Sequence, residues 1–304
     1  MYFGEEQVNI TEKLDFFAKQ LVEGFLIGLH KSPYHGFSVE FSEHRFYHYG
    51  DSLKHIDWKL FARSDKLFVK KFEEETNLRS YLLIDTSSSM YYPDKDINKI
   101  SFSVYAAASL MYLFQKQRDG FGLTCFSDAI DFFSESKGTK THYNRLLSKL
   151  DKLLKKSNQD RAKQTNFPLI VSDLVQKIPQ RSLVIIFSDM INFDHSNLAN
   201  LFEALQNLRY HKNEVILFHV QDLHKEKLFQ FANQPYNFRD LENSSEVKLN
   251  PINFKDVYRK SYDDFQYALD DKCNQFGIDY IPSFIHNGFS EVLTSYLIKR
   301  SKIF

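Results

Sequence analysis

Apolar and polar residues follow two different patterns along the chain, and the change falls near residue 78. Residues 11–30 repeat apolar side chains at helical spacing, which predicts an N-terminal helix with Thr11 as its N-cap. Residues 31–78 form short aromatic stretches with many charged residues, and segments 37–41 and 66–71 have the pattern of short strands. We therefore predict a helical segment followed by a small, charged, β-rich subdomain.

Beyond this point, strand-like apolar runs alternate with helical stretches. The predicted strands are 80–85, 122–127, 129–133, 182–189, 214–221 and 278–285. The predicted helices are 98–116, 142–155, 167–177, 197–210, 253–276 and 290–299. Such alternation is typical of a mostly parallel sheet covered by helices on both faces. A β-hairpin insertion is predicted at 222–252.

The predicted organisation therefore has three parts. Residues 1–30 form the N-terminal helix, 31–78 the charged β-rich subdomain, and 79–304 a doubly wound α/β domain. Gly277 directly follows the helix 253–276 and is expected to end it, because glycine readily adopts the left-handed backbone of a helix C-cap.

The composition argues against some classes of function. Lys and Arg number 39, as do Asp and Glu, so the formal net charge is zero and offers no electrostatic footprint for nucleic acid. Cys125 and Cys273 show no zinc-binding spacing and are expected to be buried thiols. The uncharged helical run 101–115 is too short to span a bilayer, and the N-terminus lacks the basic start of a signal peptide. We expect a soluble, cytoplasmic protein.

Candidate chemistry follows the first strand of the α/β domain. The sequence YLLIDTSSSM, residues 81–90, runs from an apolar strand into Asp85 and then into four hydroxyl residues. If the chain stayed extended, Asp85, Ser87 and Ser89 would lie on one side. Ligands of open α/β sheets bind beyond the carboxyl ends of the strands, and Mg²⁺ prefers oxygen ligands.

Two further oxygen donors stand at suitable places. Thr165 precedes a predicted helix, and the strongly apolar strand 182–189 ends in Asp189. Thr165 has an alternative role, because Thr165 or Asn166 could cap the helix that begins near Pro168. The set Asp85, Ser87, Ser89, Thr165 and Asp189 resembles the metal-ion-dependent adhesion site (MIDAS) of von Willebrand factor A domains.

The N-terminal block, residues 31–75, carries a second resemblance. The sequence is similar to the bacterial DUF58 family, which couples a charged β-rich segment to a von Willebrand A-like domain. The matching residues are Ser32, Gly36, Glu40, Phe41, Arg45, Tyr47, Gly50, Asp51, Ile56, Asp57, Trp58, Ala62, Arg63, Val69 and Lys70. The chain departs from many members at Ser38, Ser52 and Lys54.

The charged residues of this block allow two interpretations. The candidates for either a buried ion network or part of an active site are Glu40, Glu43, Arg45, Asp51, Asp57 and Arg63. We favour the network, since buried charges persist when they are paired and structural ion pairs also produce such clusters.

The resemblances imply a function. They imply a module that binds a divalent cation (Mg²⁺, Mn²⁺ or Ca²⁺) and, through it, the Asp or Glu carboxylate of a protein partner. Family context implies a MoxR-type AAA+ ATPase as that partner, and the chain itself has no P-loop motif. The alternative is a Mg²⁺-dependent hydrolase or phosphoryl-transfer enzyme with Asp85 as nucleophile. Against it, Ser87 stands where a haloacid-type phosphatase has its second carboxylate, so we expect no enzyme.

Overall fold

The computed structural model describes residues 10–30, 44–46, 61, 63, 66–70, 78–94, 97–155, 166–190, 198–241 and 245–303. The chain divides into two compact units, one of residues 24–77 and the other of residues 1–23 with 78–304. In the smaller unit, strand β1 (His44–Phe46) pairs antiparallel with β2 (Phe68–Lys70). β2 lies within the predicted strand 66–71, whereas β1 was not predicted. The predicted strand 37–41 falls outside the described residues.

The larger unit is built on a six-stranded sheet. Its strands in chain order are β3 (Arg79–Asp85), β4 (Gly120–Phe126), β5 (Ile130–Phe133), β6 (Leu183–Ser188), β7 (Glu214–Gln221) and β10 (Asp279–Phe284). Their spatial order is β10-β7-β6-β3-β4-β5, and only β5 runs antiparallel to its neighbour. The strand order reverses direction between β3 and β6. This confirms the predicted α/β class with a doubly wound, mostly parallel sheet.

The helices cover both faces of this sheet. They are α1 (Ile10–His30), of which only residues 10–23 belong to the larger unit, α2 (Lys99–Lys116), α3 (Lys140–Leu154), α4 (Phe167–Lys177), α5 (Leu198–Tyr210), α6 (Pro251–Phe276) and α7 (Ser290–Ile303). Helices α4, α5 and α6 share a buried apolar cluster with Leu83, Ile186 and Leu217 of the sheet. Helix α2 contacts α3, α7 and the sheet, and most of its residues are buried.

Aromatic packing attaches the N-terminal helix α1 to the helical layer that contains α2 and α7. Within the larger unit, the ring of Phe17 on α1 lies 4.6 Å from that of Tyr105 and 5.5 Å from that of Phe289. Leu14, Ala18 and Val22 of α1 are also buried. The first half of α1 is therefore part of the helical layer that contains α2 and α7.

The insertion predicted at 222–252 contains two kinds of local structure. A short π-helical turn, Leu223–Lys227, follows β7, and the strands β8 (Tyr236–Arg239) and β9 (Glu246–Leu249) form an antiparallel pair. Phe229 of the insertion stacks on Tyr258 of α6, with a 4.3 Å separation between ring centroids. The insertion is thus attached to the first half of α6.

Helix boundaries depart from the sequence expectations where capping residues decide them. Helix α1 already includes Ile10, so Thr11 is not its N-cap, and that prediction was wrong. Helix α6 begins two residues early, at Pro251, because the Asn250 side chain accepts a hydrogen bond from the Ile252 N–H. Gly277 ends α6 in the left-handed conformation at φ 70°, as expected.

We predict that the core around β3 dominates the stability of this unit. Leu83 is fully buried in the middle of the sheet, whereas Leu169 on α4 is 63% exposed. Leu83→Ala should lower the free energy of unfolding by about 2–5 kcal/mol, because it leaves a cavity in a close-packed region. The matched substitution Leu169→Ala should change it by less than about 0.5 kcal/mol. Chemical denaturation of both variants tests this, and equal losses would contradict the assigned core.

Candidate metal site

The predicted carboxylates meet where the strand order of the sheet reverses. β3 and β6 are parallel neighbours, with Ile84 opposite Phe187, so Asp85 and Asp189 follow at the same edge of the sheet. The Ser188 hydroxyl donates a 2.7 Å hydrogen bond to Oδ2 of Asp85 and thereby links the ends of the two strands. In doubly wound sheets, this reversal point opens the crevice in which ligands bind.

The hydroxyls of Ser87 and Ser89 also reach this edge, but by a turn rather than by an extended chain. After Asp85 the backbone enters a 3₁₀ turn, Ser88–Tyr91. The Ser87 N–H donates to Oδ1 of Asp85 at 2.9 Å, and the Ser87 and Ser89 hydroxyl oxygens lie 3.1 Å apart. All three side chains are buried. The expected grouping is present, although the extended conformation assumed for it was wrong.

The environment of Asp85 makes its ionised form less favourable than it is in water. Burial raises the pKa of Asp85 to about 6, and the nearby negative charge of Asp189 acts in the same direction. Hydrogen bonds from Ser188 and Ser87 oppose this effect by stabilising the carboxylate. Two carboxylates therefore share a buried site in which additional positive charge is favourable.

A buried lysine supplies such charge, and sequence reasoning missed it. The Lys99 ammonium donates to Oδ2 of Asp189 at 2.6 Å and to Oε1 of Glu226 at 2.5 Å. Lys99 is the first residue of α2, directly after the capping residue Asn98, and Glu226 lies in the π-helical turn after β7. A lysine at the start of an apolar helix gives little local signal, because most such lysines are exposed.

The backbone at Asp189 is held by a buried histidine. His219 on β7 lies with Nε2 2.9 Å from the Asp189 carbonyl oxygen, so Nε2 carries the proton and donates. Nδ1 then accepts from the Tyr280 hydroxyl at 2.7 Å. Burial lowers the pKa of His219 to about 4. The ring is therefore neutral at physiological pH and keeps Asp189 in place through hydrogen bonds alone.

Several predicted residues lie outside the described part of the chain. Thr165 is one of them, so its roles as ligand or cap both stay predictions, and the neighbouring Asn166 makes no side-chain capping hydrogen bond. Glu40, Glu43, Asp51 and Asp57 also fall outside, and Arg45 is placed only by its backbone in β1. Arg63 is described and exposed. The ion network of the charged block stays a prediction.

The donor chemistry of the described residues fits a hard divalent cation. Asp85, Asp189, Ser87 and Ser89 offer carboxylate and hydroxyl oxygens, the ligand type preferred by Mg²⁺ and Ca²⁺. Within the described ranges, no group of three or more His, Cys, Asp or Glu side chains is arranged to hold a metal. A cation here would therefore depend on the serine hydroxyls, and it would compete with Lys99 for Asp189.

The fold and this edge define a doubly wound α/β domain with oxygen donors at its switch point. Comparison with protein families adds that residues 43–268 match the family described as Protein of unknown function DUF58. The match covers most of the chain, which belongs to this family.

Individual relatives match a smaller part of the chain than the family does. Uncharacterized protein Rv1480 of Mycobacterium tuberculosis is 30% identical over 100 residues, which is 33% of this chain and 32% of that protein. Uncharacterized protein Mb1516 of Mycobacterium bovis matches to the same extent. The matched segment thus spans about a third of the length of these curated relatives.

Solved structures show weak likeness to this chain. The conserved hypothetical protein BatB from Bacteroides thetaiotaomicron is 12% identical with a TM-score of 0.48, over 74% of this chain and 99% of that one. The SpRpn10 VWA domain is 13% identical with a TM-score of 0.35, over 72% and 94%. Among the described helices, none combines the length and the apolarity that a membrane crossing requires.

We predict a specific acid sensitivity from His219 in metal-free protein. Because its pKa is lowered to about 4, the unfolded chain binds more protons than the folded one between about pH 6.5 and 4. The stabilising effect of the neutral ring is intact above this window and is lost as the pH falls through it. At about 1.4 kcal/mol per pKa unit, the loss approaches 3 kcal/mol near pH 4.

Urea unfolding of wild type and His219→Gln at pH 7 and pH 4.5, with chelator present, measures this contribution. The wild type should lose more stability than the variant over this interval. Equal losses would show that His219 titrates normally.

Proposed function

We propose that this protein is a metal-dependent protein-binding module. Asp85, Ser87, Ser89 and Asp189, with Thr165 as a further candidate, would hold a divalent cation, Mg²⁺ or alternatively Mn²⁺ or Ca²⁺. The observation that carries the proposal is the meeting of Asp85 with the Ser87 backbone and the Ser188 hydroxyl at the switch point, with the Ser89 hydroxyl 3.1 Å from that of Ser87.

The bound cation would supply a charged point of attachment. A divalent ion shared by few protein ligands keeps coordination positions for water or for a partner. The Asp or Glu carboxylate of a partner protein could occupy one of them, and charge-assisted bonds of this kind are strong in a partly dry interface. The contribution of this chain is to orient the oxygen donors and to keep them away from bulk water.

The partner class rests on family context. Resemblance to the DUF58 family favours a role as an adaptor or co-chaperone of a MoxR-type AAA+ ATPase in the bacterial cytoplasm. The sequence carries no P-loop, so the hydrolysis of ATP would belong to the partner. Membership in the family and the α/β fold support this proposal without defining the client.

One observation keeps an enzymatic alternative open. A Mg²⁺-dependent hydrolase or phosphoryl-transfer enzyme would use Asp85 as nucleophile, and the buried Lys99 near Asp189 could offset phosphate charge. Against it, both carboxylate oxygens of Asp85 already accept hydrogen bonds, and Ser87 stands where a second carboxylate is needed. The binding module therefore accounts better for the site.

We predict that binding of Mg²⁺ or Mn²⁺ is lost on substitution at the strand end. Calorimetric titration of chelator-treated protein should give saturable heat for the wild type and none for the double variant Asp85→Ala, Ser87→Ala. The control Ser172→Ala, Asp173→Ala removes the same two side-chain types from the exposed face of α4 and should bind as the wild type does.

Two results would argue against the proposal. Saturable binding that survives in the double variant would place the cation elsewhere. Release of phosphate from a generic phosphomonoester, abolished by Asp85→Asn, would favour the enzymatic alternative.

A pull-down with a partner protein that presents an Asp or Glu carboxylate should, under the proposal, succeed with Mg²⁺ and fail with chelator.

A further inference from the structure

Lys99 occupies a position that is unfavourable for a lysine in two respects. Its side chain is fully buried at 0% exposure, and removing an ammonium from water costs free energy unless the charge is paired. It is also the first residue of α2, where the helix dipole presents partial positive charge. A residue placed at such cost requires compensation from its neighbours.

The compensation comes from two carboxylates on different elements. Asp189, after β6, lies 2.6 Å from the ammonium, and Glu226 lies 2.5 Å from it. Burial alone would lower the pKa of Lys99, but these two ion pairs raise it above its ordinary value. Lys99 is therefore an ammonium that bridges a candidate metal ligand and a second acid.

Glu226 is held in place independently of the lysine. Its Oε2 accepts a 2.7 Å hydrogen bond from the Asp222 N–H at the start of the π-helical turn. The Asp222 side chain in turn caps that turn by accepting from the N–H groups of His224 and Lys225. Glu226 can thus keep the ammonium when Asp189 is engaged by another cation.

We propose that Lys99 is a resident cation of the site, which competes with a divalent ion for Asp189 and thereby sets its affinity, with Glu226 as the alternative partner of the ammonium. This inference rests on the cation site of the proposed function and adds a determinant outside its oxygen donors. Removing the ammonium frees carboxylate for the ion. Removing the charge of Glu226 leaves Asp189 as the main partner of the ammonium. The two changes act in opposite directions.

The test is Mn²⁺ titration, by calorimetry or by electron paramagnetic resonance, of chelator-treated full-length variants. Lys99→Met should bind Mn²⁺ at least about tenfold more tightly than wild type, and Glu226→Gln at least about threefold more weakly. The control Lys155→Met removes a half-exposed lysine that pairs with Asp151 at 2.7 Å, and it should leave the affinity unchanged.

A second variant is included in case Lys99→Met does not fold, since this substitution leaves the carboxylates of Asp189 and Glu226 without their ammonium. The double variant Lys99→Met, Glu226→Gln removes the charge pair together and keeps similar side-chain volumes. It should bind Mn²⁺ more tightly than Glu226→Gln alone. Circular dichroism and thermal unfolding identify the variants that are folded.

The outcomes separate this inference from the proposed function. The inference is overturned, while the proposed function stands, if the wild type binds Mn²⁺ but two increases in affinity are both absent. These are the increase of Lys99→Met over the wild type and that of the double variant over Glu226→Gln. If wild type does not bind but Lys99→Met or the double variant does, the resident ammonium is supported and metal-dependent binding by the wild type fails. If no folded variant binds, both fail.

Discussion

The constraint on which the site depends is the placement of two carboxylates at the ends of adjacent buried strands. Asp85 ends β3 and Asp189 follows β6, and burial together with the mutual repulsion of the two carboxylates raises the pKa of Asp85. Like charges in such a place persist only with compensation. Hydrogen bonds from Ser87 and Ser188 provide part of it for Asp85, and the Lys99 ammonium provides it for Asp189.

The sheet gives this arrangement its rigidity. β3 and β6 lie at the centre of six strands and are covered by helices on both faces, so their ends have little freedom to separate. His219 on β7 fixes the Asp189 backbone, and the capping box at the start of α2 fixes the position of Lys99. Asp189 and Lys99 are thus positioned by elements that the hydrophobic core holds in place.

The sequence predicted the sheet well because buried parallel strands leave a clear local pattern. The predicted strand 182–189 contains the unbroken apolar run 183–187, and the strand observed there is Leu183–Ser188. The grouping of Asp85 with Asp189 also followed, since parallel strands bring their carboxyl ends to one edge. The shape of the Asp85–Ser89 turn did not follow, because side-chain hydrogen bonds decide it.

No short stretch of the sequence predicts that Lys99 pairs with Glu226. These residues are separated by 127 positions, and each stands in a stretch whose charge is ordinary for a protein surface. The burial of Lys99 and its pairing with Glu226 arise from the packing of α2 against the sheet and of the π-helical turn against α6, which no short window of sequence reveals. Thr11 illustrates the same limit at a helix end, where competing starts differ by one or two residues.

The most direct test of the central claim is a crystal structure of the protein soaked in Mn²⁺, with anomalous scattering measured at the manganese edge. The account predicts one strong peak among the side-chain oxygens of Asp85, Ser87, Ser89 and Asp189, with the Lys99 ammonium shifted toward Glu226. Absence of a peak at this edge of the sheet, in crystals that bind Mn²⁺ elsewhere or not at all, would contradict it.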